Sequence, residues 1–114
     1  MTADLSGQIE VFDDEESHAY VITVDGVRTG KAVYHLRGGR HFFVHTEIDP
    51  DYEGKGLGRR LVESALDDVA SKGGTVVPLC PFFRAYIRRN DEYDRLVDHE
   101  ILARIERSEK SQGD

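Results

Sequence analysis

The stretch that decides the fold of this 114-residue chain is Tyr52-Glu53-Gly54-Lys55-Gly56-Leu57-Gly58-Arg59-Arg60-Leu61. Three glycines stand at alternate positions, and two arginines follow them directly. Backbone N–H groups at the start of a helix carry partial positive charge, and glycine lets a ligand approach the backbone closely. The pattern therefore predicts a strand, a glycine turn and a helix start that bind the phosphates of an anionic ligand, most simply one with a pyrophosphate.

The residues after the glycines have the spacing of an amphipathic helix. Apolar side chains recur three and four positions apart, at Leu57, Leu61, Val62, Ala65, Leu66 and Val69. This period places them on one helical face. Gly73-Gly74 is expected to end the helix.

The residues before the glycines have the pattern of an antiparallel meander. We predict strands over residues 8–12, 19–24, 27–36 and 41–48, because these runs are rich in β-branched and aromatic residues. Asp25-Gly26 and Gly38-Gly39 are expected to form tight turns between neighbouring strands. Asp49-Pro50 ends the last strand, since proline cannot donate to the ladder.

The second half of the chain predicts a layered α+β fold. Residues 75–79 form a short apolar strand, and Pro81 suits the first turn of a helix over 82–89. Val97, Ile101 and Ile105 recur every four residues and predict a C-terminal helix, with residues 108–114 frayed. A meander followed by helix, strand and helix is a mixed-sheet α+β (α/β layered) arrangement. We expect one domain over residues 1–114, with its core in about 8–97.

Composition and charge narrow the classes of partner. The formal net charge is −7, which argues against nucleic acid and anionic membranes as main partners and weakly favours a cationic or amine acceptor. No apolar run approaches the length of a membrane span, and the first residues lack the pattern of a signal peptide. Cys80 is the only cysteine, so no internal disulfide can form, and a cytoplasmic location is expected.

The glycine run differs from two better-known phosphate-binding patterns. A P-loop requires Lys followed by Ser or Thr after its last glycine, whereas Arg59 and Arg60 follow Gly58. A dinucleotide fingerprint that begins at Gly54 would need a glycine where Arg59 stands. Neither nucleotide triphosphates nor dinucleotides are therefore the expected ligands.

Glu53-Gly54-Lys55-Gly56-Leu57-Gly58 resembles the coenzyme A loop of the GNAT (GCN5-related) N-acetyltransferase superfamily, which reads Gln/Arg-x-x-Gly-x-Gly/Ala. Gly56 and Gly58 match its glycines, and Glu53 stands where the family has Gln or Arg. His45-Thr46-Glu47-Ile48, Gly74-Thr75-Val76-Val77-Pro78-Leu79-Cys80 and Tyr93-x-x-Leu96 extend the likeness to a small stand-alone branch of that superfamily. The resemblance implies a mixed sheet whose two central parallel strands, 41–48 and 75–79, splay apart around the coenzyme.

The resemblance also implies the activity, which is acetyl transfer from acetyl-coenzyme A to an amine. Pantetheine would pair with the strand that ends at Ile48, and the backbone amides of Lys55, Gly56, Leu57 and Gly58 would hold the pyrophosphate. Arg59 and Arg60 could add charge-assisted bonds to phosphate. The acceptor could be a protein lysine, a peptide or a small amine, and the sequence leaves the oligomeric state open.

Four side chains are candidates for the chemistry. Cys80 follows a buried strand and precedes a helix start that would favour its thiolate, so it is a candidate nucleophile, a contact to the coenzyme sulfur, or a small buried hydrophobe. His45 could act as a general base or pair with Cys80, and Glu47 shares the strand face of His45 at a spacing of two. Tyr86 is a weaker candidate for the acid that protonates the departing thiolate, since it does not align with the family's tyrosine.

Two other functions remain open, and a metal site is not expected. One alternative is a coenzyme A binding or acyl-sensing module with little catalysis. The other is cysteine-dependent acyl transfer or thioester hydrolysis through Cys80 and His45. His41 and His45 are the only histidines with a suggestive spacing, four apart on one predicted strand, and a single such pair is a weak indication of metal binding.

Overall fold

A computed structural model describes residues 8–112, with the side chains of residues 109–112 outside that description. Within this range, five strands form one sheet in chain order: β1 (Ile9–Asp14), β2 (Ala19–Val24), β3 (Val27–Arg37), β4 (Arg40–Ile48) and β5 (Thr75–Pro78). The first four pair antiparallel, and β5 runs parallel to β4. The helices are α1 (Leu57–Ser71), α2 (Pro81–Arg89) and α3 (His99–Gln112). The predicted α+β fold, a meander followed by helix, strand and helix, is confirmed.

Two tight turns join the antiparallel strands where they were expected. The φ angles are 50° and 82° at Asp25 and Gly26, and 56° and 78° at Gly38 and Gly39. Two successive positive φ angles give a turn whose twist matches that of the flanking strands. Glycine, and to a lesser degree aspartate, tolerates this left-handed region.

The core lies between one face of the sheet and the helices α1 and α2. All six residues of the predicted apolar stripe of α1 are buried. The rings of Phe43 on β4 and Phe83 on α2 stack with their centroids 4.1 Å apart, which holds α2 against β4. The opposite side of the sheet, called the open face below, carries Phe12, Val21, Val33, His45 and Glu47, as the strand register requires.

A bulge interrupts β4 at Val44. Phe43 lies opposite Tyr34 and His45 lies opposite Val33, so Val44 has no partner residue on β3. An extra residue of this kind reverses the side of the sheet to which the following side chains point. His41 and Phe43 therefore face the core, whereas His45 faces the open side.

The strands β4 and β5 run parallel and then diverge, as expected, but β5 is the edge strand of the described sheet and not one of two central strands. Their pairing runs only from Arg40–Thr75 to Phe43–Pro78. Beyond it, the amides of Leu79 and Cys80 both donate to the carbonyl oxygen of Phe43, at 3.0 and 2.9 Å, and the chain turns into α2. Since β4 continues to Ile48, its last residues present a backbone edge with no strand beside it in the described part of the chain.

The C-terminal prediction needs two corrections. Val97 lies outside the helix, because residues 91–96 form a 3-10 segment and Val97 makes a parallel bridge with Val76. The helix α3 begins only after Asp98, whose carboxylate accepts from the amide of Ile101 at 3.0 Å. The stretch expected to be frayed, 108–114, is helical as far as Gln112, since its Glu, Lys and Gln residues have good helix propensity.

Candidate active site

The glycine loop, residues 53–58, connects β4 to α1 through backbone that favours glycine. A short 3-10 turn (Pro50–Tyr52) follows β4, and Asp49 stabilises it by accepting from the amide of Asp51 at 2.9 Å. Gly54 and Gly56 then have φ angles of 78° and 79°. Other residues rarely adopt these angles, so the two glycines make the sharp entry into α1 possible.

The amides at the start of α1 are available to an anion. Gly56 is the N-cap of the helix, and no side chain in residues 8–112 caps its first N–H groups. These groups lack intrahelical partners, and the helix dipole adds partial positive charge. A Cβ built on Gly56 would meet nothing within 4 Å, so the backbone borders open space. The loop therefore fits a phosphate-bearing group.

A cavity of about 580 Å³ lies in front of the glycine loop, and we call it the loop cavity. Its walls come from residues 46–48 of β4, from Tyr52 and the loop, and from Phe82 of α2. Ile48 lines it at the strand end, as expected, and Arg59 lines it at the first turn of α1. Lys55 and Arg60, also predicted to hold the coenzyme, do not border it, and the Arg60 side chain is exposed on the first turn.

Gly58 makes room for an aromatic ring. A Cβ on this residue would lie 2.6 Å from Cζ of Phe82, inside van der Waals contact. Gly58 has ordinary helical backbone angles, so no unusual φ requires glycine at this position. Its lack of a side chain instead makes room for the ring of Phe82. From the sequence, Gly58 was predicted to let phosphate approach the backbone closely. No role was predicted for Phe82, which is 45% exposed beside the loop cavity.

Cys80 lies at the point where β4 and β5 separate. It is the N-cap of α2 and is only 5% exposed. Its thiol donates to the hydroxyl oxygen of Thr46 on β4, with 3.3 Å between Sγ and Oγ1. Thr46 also lines the loop cavity, so this bond connects the sulfur to the wall of that cavity. No role was predicted for Thr46 from the sequence, because its contact with Cys80 joins residues far apart in the chain.

The structure does not bring His45 and Cys80 together. The side chain of Thr46 faces Cys80, and neighbouring residues on a strand point to opposite faces. His45 therefore lies on the open face, where its Nε2 is 3.4 Å from Oε1 of Glu47. The same carboxylate is 3.7 Å from Nζ of Lys31. His45 and Glu47 share a face as predicted, but the expected shared face of His41 and His45 is wrong because of the bulge at Val44.

Tyr86 lies between α1 and α2, away from the loop cavity. Its hydroxyl donates to Oε2 of Glu63 at 2.7 Å. Burial, with this hydrogen bond to a carboxylate, raises the pKa of Tyr86 to about 12. The hydroxyl is therefore protonated at neutral pH and already engaged, and it does not reach the splay where Cys80 lies.

In residues 8–112, no group of three or more His, Cys, Asp or Glu side chains is arranged to hold a metal ion. In the same part of the chain, no helix is both long and apolar enough to cross a membrane.

Sequence comparison identifies a family match. A family model described as GCN5-related N-acetyl-transferase matches residues 19–96, which include the glycine loop, Cys80 and Tyr86. A comparison with curated protein sequences gives no match.

Three solved structures are similar to this chain. The ribosomal-protein-S18-alanine N-acetyltransferase from Escherichia coli is 24% identical with a TM-score of 0.49, over 53% of this chain and 39% of that one. A GCN5-like protein from Staphylococcus aureus is 17% identical with a TM-score of 0.59, over 77% and 86% of the two chains. A GNAT-family protein from Desulfovibrio desulfuricans is 21% identical with a TM-score of 0.47, over 65% and 52%. Of the three, the S. aureus structure shows a shared fold, and this chain spans about 39% of the E. coli enzyme.

Proposed function

Because this chain belongs to the GCN5-related N-acetyltransferase family, we propose that it transfers an acetyl group from acetyl-coenzyme A to an amine. The observation that carries the proposal is the glycine loop. Gly54 and Gly56 turn the chain with positive φ angles into a helix start whose amides are uncapped within the described residues and face open space. Amides arranged in this way suit the pyrophosphate of coenzyme A.

We place the whole thioester arm of acetyl-coenzyme A along the loop cavity. The amides of residues 56–58 and the side chain of Arg59 would hold the pyrophosphate. The unpaired backbone edge of β4 up to Ile48 offers donors and acceptors to the amides of pantetheine. The thioester would then lie near Thr46 and Cys80, where the two strands separate.

Transfer requires that the amine nitrogen attack the thioester carbonyl carbon while the carbon–sulfur bond breaks. A cationic amine must first lose one proton to become the neutral nucleophile, a second proton leaves the nitrogen as the bond to carbon forms, and the departing sulfur takes one proton from solvent. We propose that the amine approaches from the open face, where Glu47 accepts its proton, directly or through water, and His45 lies beside the carboxylate. The backbone edge of β4 separates this face from the loop cavity, so the two reactants would meet at that edge.

The acceptor is a cationic amine in this proposal, and its class stays open among protein lysines, peptides and small amines. The net charge of −7 attracts such acceptors through long-range electrostatics. A chain whose only cysteine lacks a disulfide partner also fits a reducing compartment, and we place the activity in the cytoplasm.

Replacing Gly56 by Asp tests the loop. The new side chain would enter the space proposed for the pyrophosphate and add a like charge. We expect affinity for coenzyme A, measured by calorimetry, to fall at least about tenfold. The matched control is Gly73→Asp at the other end of α1. Gly73 has a φ of 72° and open space at its Cβ, so the backbone strain and the charge change are nearly the same.

The assignment fails if Gly56→Asp binds coenzyme A as wild type does while its circular dichroism stays unchanged. It also fails if Gly73→Asp weakens binding equally. Release of free thiol from acetyl-coenzyme A only when an amine is supplied would support the transferase. Tight binding without release under a broad panel of amines would support a binding module instead.

The position of Cys80 favours a second candidate function, which is covalent acyl transfer. Its Sγ lies at the splay and 3.3 Å from Thr46, which lines the loop cavity. The thiol of Cys80 would lose its proton and attack the thioester carbonyl, the carbon–sulfur bond to coenzyme A would break with that sulfur taking one proton, and the acetyl group would stay on Sγ. A neutral amine or water would then attack this second thioester, its bond to Sγ would break, and the proton lost by the attacking group would restore the thiol.

A further inference from the structure

A separate cavity, of about 450 Å³, lies on the open face beside the end of β4, and we call it the open-face cavity. Its walls come from β2, β3 and β4 and from the turn between β1 and β2. Glu47 and Ile48 line both this cavity and the loop cavity, so the last residues of β4 form a wall common to the two. An amine in the open-face cavity would therefore lie across this wall from a thioester in the loop cavity.

The open-face cavity has an apolar floor held in place by the sheet. Ala19 and Val21 of β2 line it and are almost fully buried. Thr29 joins β3 to its neighbours. Its hydroxyl donates to the carbonyl oxygen of Ile22 at 3.2 Å, and its own carbonyl oxygen accepts from the amide of Asp49 at 2.7 Å. Sites for small molecules are typically preformed, largely apolar cavities of about 300–1,000 Å³, so the size and the floor suit a short aliphatic molecule.

The rim of the open-face cavity carries cations and carboxylates on separate strands. Arg28 and Lys31 stand on β3. Glu47 stands on β4, and Asp49 directly follows that strand. Nζ of Lys31 is 3.7 Å from Oε1 of Glu47, so an ammonium group already lies opposite this carboxylate. The guanidinium of Arg28 is 3.4 Å from Asp14, a contact that uses one of its five donors. The cavity therefore offers a carboxylate to an amine and a guanidinium to an anion.

The separation of these charges suits one short molecule. Lys31 lies opposite Glu47 in the sheet, and Arg28 precedes Lys31 by three residues, about 10 Å at the rise of a β-strand. The side chains of Arg28 and Glu47 are long enough to shorten this gap. A short aliphatic chain between an amine and an acidic group would span the remainder.

We propose that the open-face cavity takes a small acceptor that carries both an amine and a carboxylate, with the amine at Glu47 and the carboxylate at Arg28. The proposal rests on the proposed function, because it assumes that the acetyl group arrives through the loop cavity. In the empty cavity, Lys31 occupies the place of the acceptor's ammonium group, and a bound acceptor frees it to turn toward the carboxylate. A polyamine would instead bring a second cation to Arg28.

The transfer is balanced for such an acceptor. Its ammonium group loses two protons, and its nitrogen forms a bond to the acetyl carbon while the carbon–sulfur bond of acetyl-coenzyme A breaks. The departing sulfur takes one proton, so one proton is released overall. The products are an N-acetylated acid and the thiol of coenzyme A.

The test compares γ-aminobutyrate with butylamine, which has a methyl group in place of the carboxylate. With release of free thiol from acetyl-coenzyme A as the readout, we expect a kcat/KM about tenfold higher for γ-aminobutyrate in the wild type. Putrescine, with a second amine, and the amide of Nα-acetyl-lysine, which imitates a protein lysine, should be used no better than butylamine. Arg28→Gln should lose most of the preference because its KM for γ-aminobutyrate rises.

Arg37→Gln is the matched control. Arg37 lies on the same strand, is also exposed and does not line the open-face cavity, so the net charge changes by the same amount at another place. It should retain the wild-type preference. The inference is overturned, and the proposed function stands, if the wild type uses any of the three other amines as well as γ-aminobutyrate. An equal loss of preference in Arg28→Gln and Arg37→Gln has the same meaning.

Binding of the acceptor alone separates the two proposals. In heteronuclear NMR with and without coenzyme A, we expect γ-aminobutyrate to shift the amide signals of residues 28–33 and 47–49 in the wild type, and to do so more weakly in Arg28→Gln. Such shifts in a protein that releases no thiol with any amine would keep the binding site and remove the proposed function. No shift in these residues under either condition would overturn the inference.

Discussion

At the scale of single residues, Val44 decides which side chains of β4 can act together. Without the bulge, His41, His45 and Glu47 would lie on one face. The extra residue sends His41 into the core and turns His45 and Glu47 to the open face, with Nε2 and Oε1 3.4 Å apart. Thr46 then faces Cys80. One unpaired residue thus separates the sulfur from the pair of His45 and Glu47, and the two groups suggest different reaction routes.

Glu47→Gln distinguishes these routes. If Glu47 accepts the proton of the amine, kcat should fall by about 10² to 10⁴ while KM for acetyl-coenzyme A stays unchanged. Glu10→Gln is the control, since Glu10 lies on the same face at the edge strand and loses the same charge. Steady-state kinetics with a responsive amine measure both variants. Intact mass would contradict the direct route, and favour the covalent one, if it shows an acetyl adduct in the wild type and in Glu47→Gln but none in Cys80→Ala.

At the scale of elements, the junction of α1 and α2 shapes the loop cavity. Gly58 on α1 receives the ring of Phe82 on α2, and this ring lines both the loop cavity and a second cavity between the two helices. Further along α1, Glu63 and Asp67 accept from the hydroxyls of Tyr86 and Tyr93, both at 2.7 Å. These contacts fix the spacing of the helices, so a change at Gly58 should act mainly through the position of Phe82.

We expect Gly58→Ala to weaken binding without unfolding the protein. The new Cβ would lie 2.6 Å from Cζ, but Phe82 is partly exposed and its ring can swing away. Alanine also favours a helix over glycine by about 1 kcal/mol, so the free energy of unfolding by urea should change by no more than about 1 kcal/mol. Affinity for coenzyme A should fall about tenfold because the ring leaves its place.

The same substitution in a Phe82→Ala background is the control for this mechanism. With the ring gone, Gly58→Ala should have little further effect on affinity, and a double-mutant cycle measures the coupling. An equal loss in both backgrounds would mean that Gly58 acts through close approach of the phosphate to the backbone, as the sequence suggested.

At the scale of the whole molecule, a buried histidine couples stability to pH. His41 is 7% exposed, lies against Tyr34 and Phe43, and has an Nδ1 with no hydrogen-bond partner among the described residues. Burial lowers the pKa of His41 below its usual value, although the charge of Asp13 opposes this. Between that lowered pKa and the unfolded value of about 6.5, the unfolded chain binds more protons. The free energy of unfolding therefore rises with pH through this window, and below the lowered pKa the contribution of His41 is constant because both states are protonated.

His41→Phe should remove this part of the pH dependence. A phenyl ring fills a similar space and carries no proton, so the variant should gain relative to wild type as pH falls through about 6. Urea unfolding at several pH values measures the difference. His35→Phe, the same substitution at an exposed site on β3, should keep the wild-type dependence. If the free energies of unfolding of wild type and His41→Phe change with pH in the same way, His41 does not couple folding to pH.

Much of the architecture could be predicted from local patterns. Asp25-Gly26 and Gly38-Gly39 indicated tight turns, and alternate β-branched residues indicated the strands, because both depend on the backbone preferences of nearby residues. The stripe from Leu57 to Val69 indicated α1 by its period alone. The glycine loop could be located for the same reason, since Gly54 and Gly56 are required by φ angles of 78° and 79°. Expectation and structure differ mainly at element ends, such as Val97, where a bridge to Val76 competes with the helix.

The amino-acid sequence by itself thus determined the order of the elements, the tight turns and the glycine turn that leads into α1, because each follows from residues close together in the chain. Only the tertiary structure decided the partners of the site residues. The bulge at Val44 depends on the register with β3, the thiol of Cys80 meets Thr46 across the splay, and Phe82 fills the space left by Gly58. These contacts join residues 24 or more positions apart or depend on register between strands, and local propensity carries no information about either.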